Sequence, residues 1–199
     1  MSVNLQKGQK VELRKSNSEQ LTRVMVGLGW DEVAPKKSFF SMFETHQDID
    51  CDASAILCKR GKLMDFGTDT VFYNNLRHGS GSVVHQGDNL TGAGDGDDEQ
   101  IFVNLASVPA EYDRIVFVVT IYQAIERKQH FGLIENAFIR ICDASTGTEF
   151  CKFDLSENYS GMTAMIVGEM IKDGGVWKFN AIGQPTNDNG ILAMARRFM

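Results

Sequence analysis

The chain has 199 residues, 43% of them hydrophobic and 23% charged, enough for one sizeable core that needs no metal or disulfide framework to hold it. A net charge of −6 excludes a general binder of phosphate backbones, which draws its affinity from clustered Lys and Arg. No run of about 18 apolar residues exists for a membrane-spanning helix, and the first residues lack the apolar stretch of a secretion signal, so a cytoplasmic protein is expected.

Taken in chain order, the predicted elements are almost all strands. Residues 11–14 (VELR) alternate, and residues 23–29 (RVMVGLG) are apolar and β-branched. Short runs follow at 52–58, 70–73, 83–85 and 100–105. Residues 114–121 (RIVFVVTI) are apolar almost throughout, which predicts a central strand buried on both faces. Residues 138–142 alternate with Arg140 facing out, and 143–147 (DASTG) read as a turn into a strand over 149–153. Two runs, 164–172 and 176–181, bracket Asp173-Gly-Gly, a hairpin signal. Pro109-Ala-Glu-Tyr predicts one helical turn. Residues 191–198 (ILAMARRF) predict a short terminal helix with Arg196 and Arg197 near its negative end. Many short strands with Gly- and Asp-rich turns predict an all-β fold, mainly an antiparallel β-sandwich, as a single domain over 1–199. Cys51, Cys58, Cys142 and Cys151 form no C-x-x-C pair; Cys51 and Cys58, which flank a strand-like run, read as buried, reduced thiols, with a disulfide as the rival reading.

Two segments break the pattern. Residues 34–47 (APKKSFFSMFETHQ) read as an exposed insertion. Its Lys36 and Lys37, beside Phe39, Phe40, Met42 and Phe43, suit an anionic membrane surface or a partner groove, or else the rings pack on their own domain. The second segment, 79–100, contains no Lys or Arg. Within it Asp88, Asp95, Asp97, Asp98 and Glu99 alternate with glycines, and Asn89 and Thr91 add neutral oxygens. Carboxylates spaced at roughly 4–6 Å raise one another's pKa or favour a bound cation. An all-oxygen, flexible donor set suits Ca²⁺, whereas zinc would call for thiolate or imidazole. Two readings stand side by side, a solvated acidic turn and a metal site.

The loop is not an EF-hand. Counting from Asp88 puts Ala93 at the sixth position, and counting from Asp95 puts Gln100 there, where that motif requires glycine. Asp48, Asp50 and Asp52 alternate onto one face at the start of a strand. Asp31 and Asn75, each just past a strand end, are further candidate ligands or plain turn residues. As an enzyme the chain reads poorly. His46, His78, His85 and His130 are too scattered to pair with a nucleophile, and Gly79-Ser-Gly-Ser reads as a flexible turn, with no G-x-S-x-G elbow. The rival readings are a Ca²⁺-dependent hydrolase and a nucleotide or phosphate-ligand binder. Against the second, no Lys-Ser/Thr follows the loop glycines, and the carboxylates repel phosphate.

With those residues in place, the sequence resembles the TerD family of tellurium-resistance and general stress proteins. The resemblance rests on Val26-Gly-Leu-Gly-Trp-Asp, Asp48-Ile-Asp-Cys-Asp-Ala-Ser, Phe72-Tyr-Asn-Asn-Leu and above all Gly87-Asp-Asn-Leu-Thr-Gly-Ala-Gly-Asp-Gly-Asp-Asp-Glu. It extends through Phe117-Val-Val-Thr-Ile-Tyr, Asn136-Ala-Phe-Ile-Arg and Trp177-Lys-Phe. It implies a β-sandwich with two Ca²⁺ ions held mainly by the Gly-Asp loop and neighbouring strand ends. The ligand set it implies is Asp31, Asp50, Asp52, Asn75, Asp88, Asn89, Asp95, Asp97, Asp98 and Glu99. It further implies a non-enzymatic cytoplasmic stress role, exercised by calcium-dependent association with other stress-response proteins, near the membrane in some cases, and with no nucleic acid.

Overall fold

Period-2 alternation drives the architecture: each strand has one apolar face to bury, and two sheets bury theirs against each other. A computed structural model of the chain describes residues 2–15, 17–33, 48–87, 96–155, 157 and 159–199. The strands are β1 (Val3–Asn4), β2 (Lys10–Glu12), β3 (Arg23–Glu32), β4 (Cys51–Cys58), β5 (Thr70–Val71) and β6 (Val83–His85). They continue as β7 (Glu99–Asn104), β8 (Arg114–Ile121), β9 (Ile134–Asp143), β10 (Glu149–Asp154), β11 (Ala164–Asp173) and β12 (Val176–Thr186). The first sheet runs β1-β10-β9-β3-β7-β6 and the second β2-β12-β11-β8-β4-β5. Every described pairing is antiparallel except β1 with β10. The insertion at 34–47 lies outside the described residues.

The core lies between the sheets. From the first sheet come Val24, Val26 and Leu28 of β3, Ile101 and Val103 of β7, and Ile139 and Ile141 of β9. They meet Ala53, Ala55 and Leu57 of β4 and Ile115, Phe117 and Val119 of β8. Strand β8 is apolar on both faces because it has two cores to serve. Val116 and Val118 face outward, where helix α3 (Ile191–Ala195) and the 3-10 turn after it cover them with Ile191, Met194 and Phe198. Burying each such side chain stabilises by about 1.5–3 kcal/mol, which holds the C-terminus on the sheet.

The β11–β12 hairpin turns at Gly174 and Gly175, both at positive φ, as its Asp-Gly-Gly signal predicts. The expected helical turn at Pro109 is instead a hydrogen-bonded turn, in which Tyr112 N donates to Pro109 O at 3.0 Å. Two further helices, α1 (Phe66–Asp69) and α2 (Ala124–Arg127), are four residues each. All four cysteines are free and buried. Among the described residues no helix is long and apolar enough to cross a membrane.

Candidate functional site

Strand alternation decides which acids can meet. On β3 the inward positions are Val24, Val26, Leu28 and Trp30, so Gly27, Gly29 and Asp31 face outward. The chain entering β7 folds over that outward face. A Cβ on Gly27 would lie 2.2 Å from Asp97 Oδ1, and one on Gly29 2.6 Å from Gly96 O. The two glycines therefore make room for the end of the acidic loop.

The Asp97 side chain is fully buried there and clasped by a guanidinium. Arg140 donates through Nε at 2.7 Å and Nη2 at 3.0 Å, and Gln100 Nε2 adds a third bond at 3.1 Å. The bidentate pair keeps Arg140 charged, its pKa raised first by the bond to Asp97. Asp98 lies beside it. Its backbone N donates to Leu28 O at 2.8 Å, and its Oδ2 accepts from Trp30 N at 2.8 Å. Asp31 Oδ2 accepts from Asn136 Nδ2 at 2.8 Å, and Asn136 itself holds a positive φ of 55°. Asp31 Oδ1 and Asp98 Oδ1 take no hydrogen bond from the described residues. A cleft of about 770 Å³ opens against Asp31, walled by Trp30, Gly96, Asn136, Phe138 and Asp154.

Burial pushes the Asp98 carboxyl above its ordinary value of 3.8, opposed by the Trp30 N–H and reinforced by the charges of Asp31 and Asp97. A folded-state pKa raised above the unfolded one contributes stability that is fully present below the unfolded pKa and lost as pH rises through the folded pKa. In a chelated sample, carboxyl-carbon NMR titration is expected to show Asp98 holding its proton above the ordinary aspartate range. Saturating Ca²⁺ should bring that midpoint down, and an Asp98 titration that is ordinary in both samples would remove it from the site.

A second group points inward. Glu99 shares the core-facing side of β7 with Ile101 and Val103. Its Oε2 accepts from Ala53 N of β4 and lies 3.6 Å from His85 Nε2. His85 Nδ1 accepts from Gly87 N at 3.1 Å, so Nε2 carries the proton and donates to Ala53 O at 3.1 Å. Asp52 sits on the other face of β4 from Ala53, sharing it with Ser54, Ile56 and Cys58. Asp50 precedes the strand, its backbone O accepting from Tyr122 N at 2.8 Å. Both are buried. Burial first, then the charges of Asp52, Glu99, Asp50 and Glu32, hold the Cys51 thiol well above its ordinary range.

Of the ten sequence candidates, the structure brings Asp31, Asp97 and Asp98 together outside the first sheet, and Asp50, Asp52 and Glu99 around the start of β4. Asn75 is held apart, donating to Thr70 O at 2.7 Å and Gly67 O at 3.3 Å beside α1. Asp88, Asn89 and Asp95 lie outside the described residues. Among the described residues no group of three or more His, Cys, Asp or Glu is placed to hold a metal ion. Sequence reasoning missed Glu32, whose Oε1 accepts from Ile49 N at 2.5 Å and ties β3 to the segment before β4. Its only signal was the Asp31-Glu32 pair at a strand end.

The chain is similar to proteins of known name along its whole length. It is 44% identical to the stress response protein SCP2 of Bacillus subtilis (strain 168), covering 100% of both chains. It is 45% identical to the tellurium resistance protein TerD of Serratia marcescens, over 92% of this chain and 91% of that one. Among solved structures, the fold matches a homologue of telluride resistance protein (TerD) from Streptomyces coelicolor A3(2). That match has a TM-score of 0.63 at 20% identity, over 86% of this chain and 94% of the other. A protein of unknown function matches with a TM-score of 0.66 at 23% identity, over 88% and 95%. Residues 1–198 match the TerD domain, and the chain belongs to that family.

Proposed function

We propose that this protein is a non-enzymatic, calcium-binding stress protein whose acidic loop is ordered by Ca²⁺ and then presents a surface to partners. The observation that supports it most directly is the pair Asp31 and Asp98. Both are carboxylates with an oxygen turned to no described donor, and burial together with the charges of Asp31 and Asp97 raises the Asp98 pKa, so its charged form lacks a compensating cation. Their oxygens fit a hard cation, which takes 6–8 oxygen ligands and supplies the positive charge the cluster lacks. In this reading Asp31 and Asp98 join Asp88, Asn89 and Asp95 as ligands, and a second ion is held near the start of β4 either by Glu99 from the core side or by Asp50 and Asp52 from the far face, which the strand keeps apart. Asp97 has its oxygens committed to Arg140 and Gln100, so its part is to fix the loop end over β3.

The names of the relatives support a stress role of the tellurium-resistance type. Free buried thiols fit a reducing compartment, and we place the protein in the cytoplasm, acting with other stress-response proteins, including ones at the membrane surface.

Thermal melting tests the reading. At free Ca²⁺ about 100 times the dissociation constant, binding adds about 2.7 kcal/mol. For a chain of this size that raises the melting temperature by about 5–10 °C. Mg²⁺, which demands tighter octahedral geometry, should give much less. Asp98→Asn combined with Asp95→Asn should abolish the shift. No shift and no calorimetric heat at saturating Ca²⁺ would refute calcium binding, and Ca²⁺-dependent turnover of a substrate would refute the non-enzymatic half.

A further inference from the structure

The turn Gly79-Ser-Gly-Ser, read from sequence as merely flexible, is part of a hydrogen-bonded relay outside the acidic site. Gly81 N donates to His78 O at 2.8 Å and His78 N to Val83 O at 3.0 Å, so the turn is fixed at both ends. Ser80 is exposed at its tip, while His78 and Asp69 are buried beneath. Ser80 Oγ lies 2.6 Å from His78 Nδ1, and Ser80 N donates to the same nitrogen at 3.2 Å. With Nδ1 accepting, the ring proton is on Nε2, which faces Tyr112 Oη at 3.2 Å and Asp69 Oδ1 at 3.7 Å. Tyr112 Oη in turn donates to Asp69 Oδ1 at 2.6 Å. Burial and the Asp69 carboxylate push the Tyr112 pKa far up, so the phenol stays a donor. Each proton in the chain Ser80–His78–Tyr112–Asp69 points the same way, toward a buried carboxylate.

That arrangement has the parts of an activated nucleophile: a hydroxyl on a base, and a base oriented by a third group. Ser82, buried beneath the tip, supports the hydroxyl: its Oγ lies 2.7 Å from Ser80 Oγ and its N donates to the same oxygen at 3.2 Å. Arg77 crosses Gly81, its Nη2 2.8 Å from where a Cβ would stand, and makes no ion pair with the described residues. A positive group therefore lies beside the residue that follows the hydroxyl.

We propose that Ser80 is a nucleophilic serine that is itself acylated by activated carboxylic esters, once per chain and without turnover, with His78 as its base. Ser80 Oγ bonds to the ester carbonyl carbon as its proton passes to His78 Nδ1. The tetrahedral oxyanion is stabilised by Arg77. The carbon–oxygen bond to the alcohol then breaks, and the departing alkoxide takes the proton from His78, leaving an acyl ester on Ser80. Tyr112 and Asp69 are positioning residues that hold the imidazole with Nδ1 toward the hydroxyl.

The test uses the full chain and p-nitrophenyl acetate, with intact mass and peptide mapping as readouts. One acetyl group mapping to Ser80 is expected, and none at that position in Ser80→Ala. His78→Gln should slow the acetylation of Ser80 by about 100-fold, the scale of general-base assistance. Tyr112→Phe, which keeps the ring but loses the buried bonds of the phenol, should also slow it in a chain that stays folded with its melting temperature lowered by about 2–10 °C. Acetyl groups found only on lysines would overturn the proposal. So would an unchanged rate at Ser80 in a folded His78→Gln. Should that variant fail to fold, an unchanged rate in Tyr112→Phe overturns it equally.

Discussion

Replacing Gly27 by alanine is expected to cost about 3–5 kcal/mol of folding stability, although the change adds a single methyl group in mid-strand. An ideal Cβ there would lie 2.2 Å from Asp97 Oδ1, 2.3 Å from Cγ and 2.4 Å from Oδ2. Overpacking alone costs about 1–3 kcal/mol. Here the atom in the way cannot swing aside cheaply, because the Asp97 side chain is fully buried and bound by Arg140 and Gln100. Displacing it breaks a charge pair whose carboxylate is buried but whose guanidinium is 30% exposed, a further loss of about 2 kcal/mol, below the cost of breaking a fully buried pair. Urea unfolding at constant slope should show a lowered midpoint. In an Asp97→Ala background the same Gly27→Ala change should cost much less, the coupling being the part due to the clash. A cost below about 1 kcal/mol in the native background would show that the loop end yields and is no fixed clasp.

That clasp marks where sequence reading stopped. The strands were legible wherever period-2 alternation or a long apolar run was strong. Residues 83–85 and 114–121 fall on β6 and β8 with the same ends, and Arg140 faces outward as its alternation required. Helices α1 and α2, each four residues, barely complete one helical period, so no periodicity could reveal them. Strand β1 exists only through its pairing with β10, nearly 150 residues away along the chain, which no local pattern encodes. At the candidate site the charge was legible but its allocation was not. Asp97 and Asp98 are adjacent in sequence, yet one is spent on an arginine from β9 and the other is left acidic and desolvated. Asp52 and Glu99 both come within electrostatic reach of Cys51, yet Asp52 shares the far face of β4 while Glu99 comes from the core side. Such divisions depend on how two sheets meet, which is a tertiary property.

Glu99→Ala is expected to be the second costly change, at about 4 kcal/mol, for a reason that has nothing to do with metal. Strand β4 pairs with β8 along one side, but on its other side β5 pairs only with Ala55 and Ile56. At Ala53 that edge has no strand beside it among the described residues. Its N–H goes to Glu99 Oε2 and its C=O accepts from His85 Nε2, so two side chains from β7 and β6 stand in for the absent neighbour and join the sheets. Alanine at position 99 leaves a buried N–H unsatisfied, at about 1–3 kcal/mol. It also opens a void, at about 2 kcal/mol or more. Glu99→Gln keeps a carbonyl oxygen for Ala53 N and should cost only about 1 kcal/mol. Urea midpoints of the two variants in chelator check this, and a Glu99→Ala cost no larger than that of Glu99→Gln would show the inter-sheet bridge to be dispensable. The same pair separates structure from ligation. If Glu99→Gln keeps its stability in chelator but loses the Ca²⁺-induced rise in melting temperature, the carboxylate charge belongs to the ion. If it keeps both, Glu99 belongs to the fold, and the cation site must be completed from Asp31, Asp98 and the loop before them.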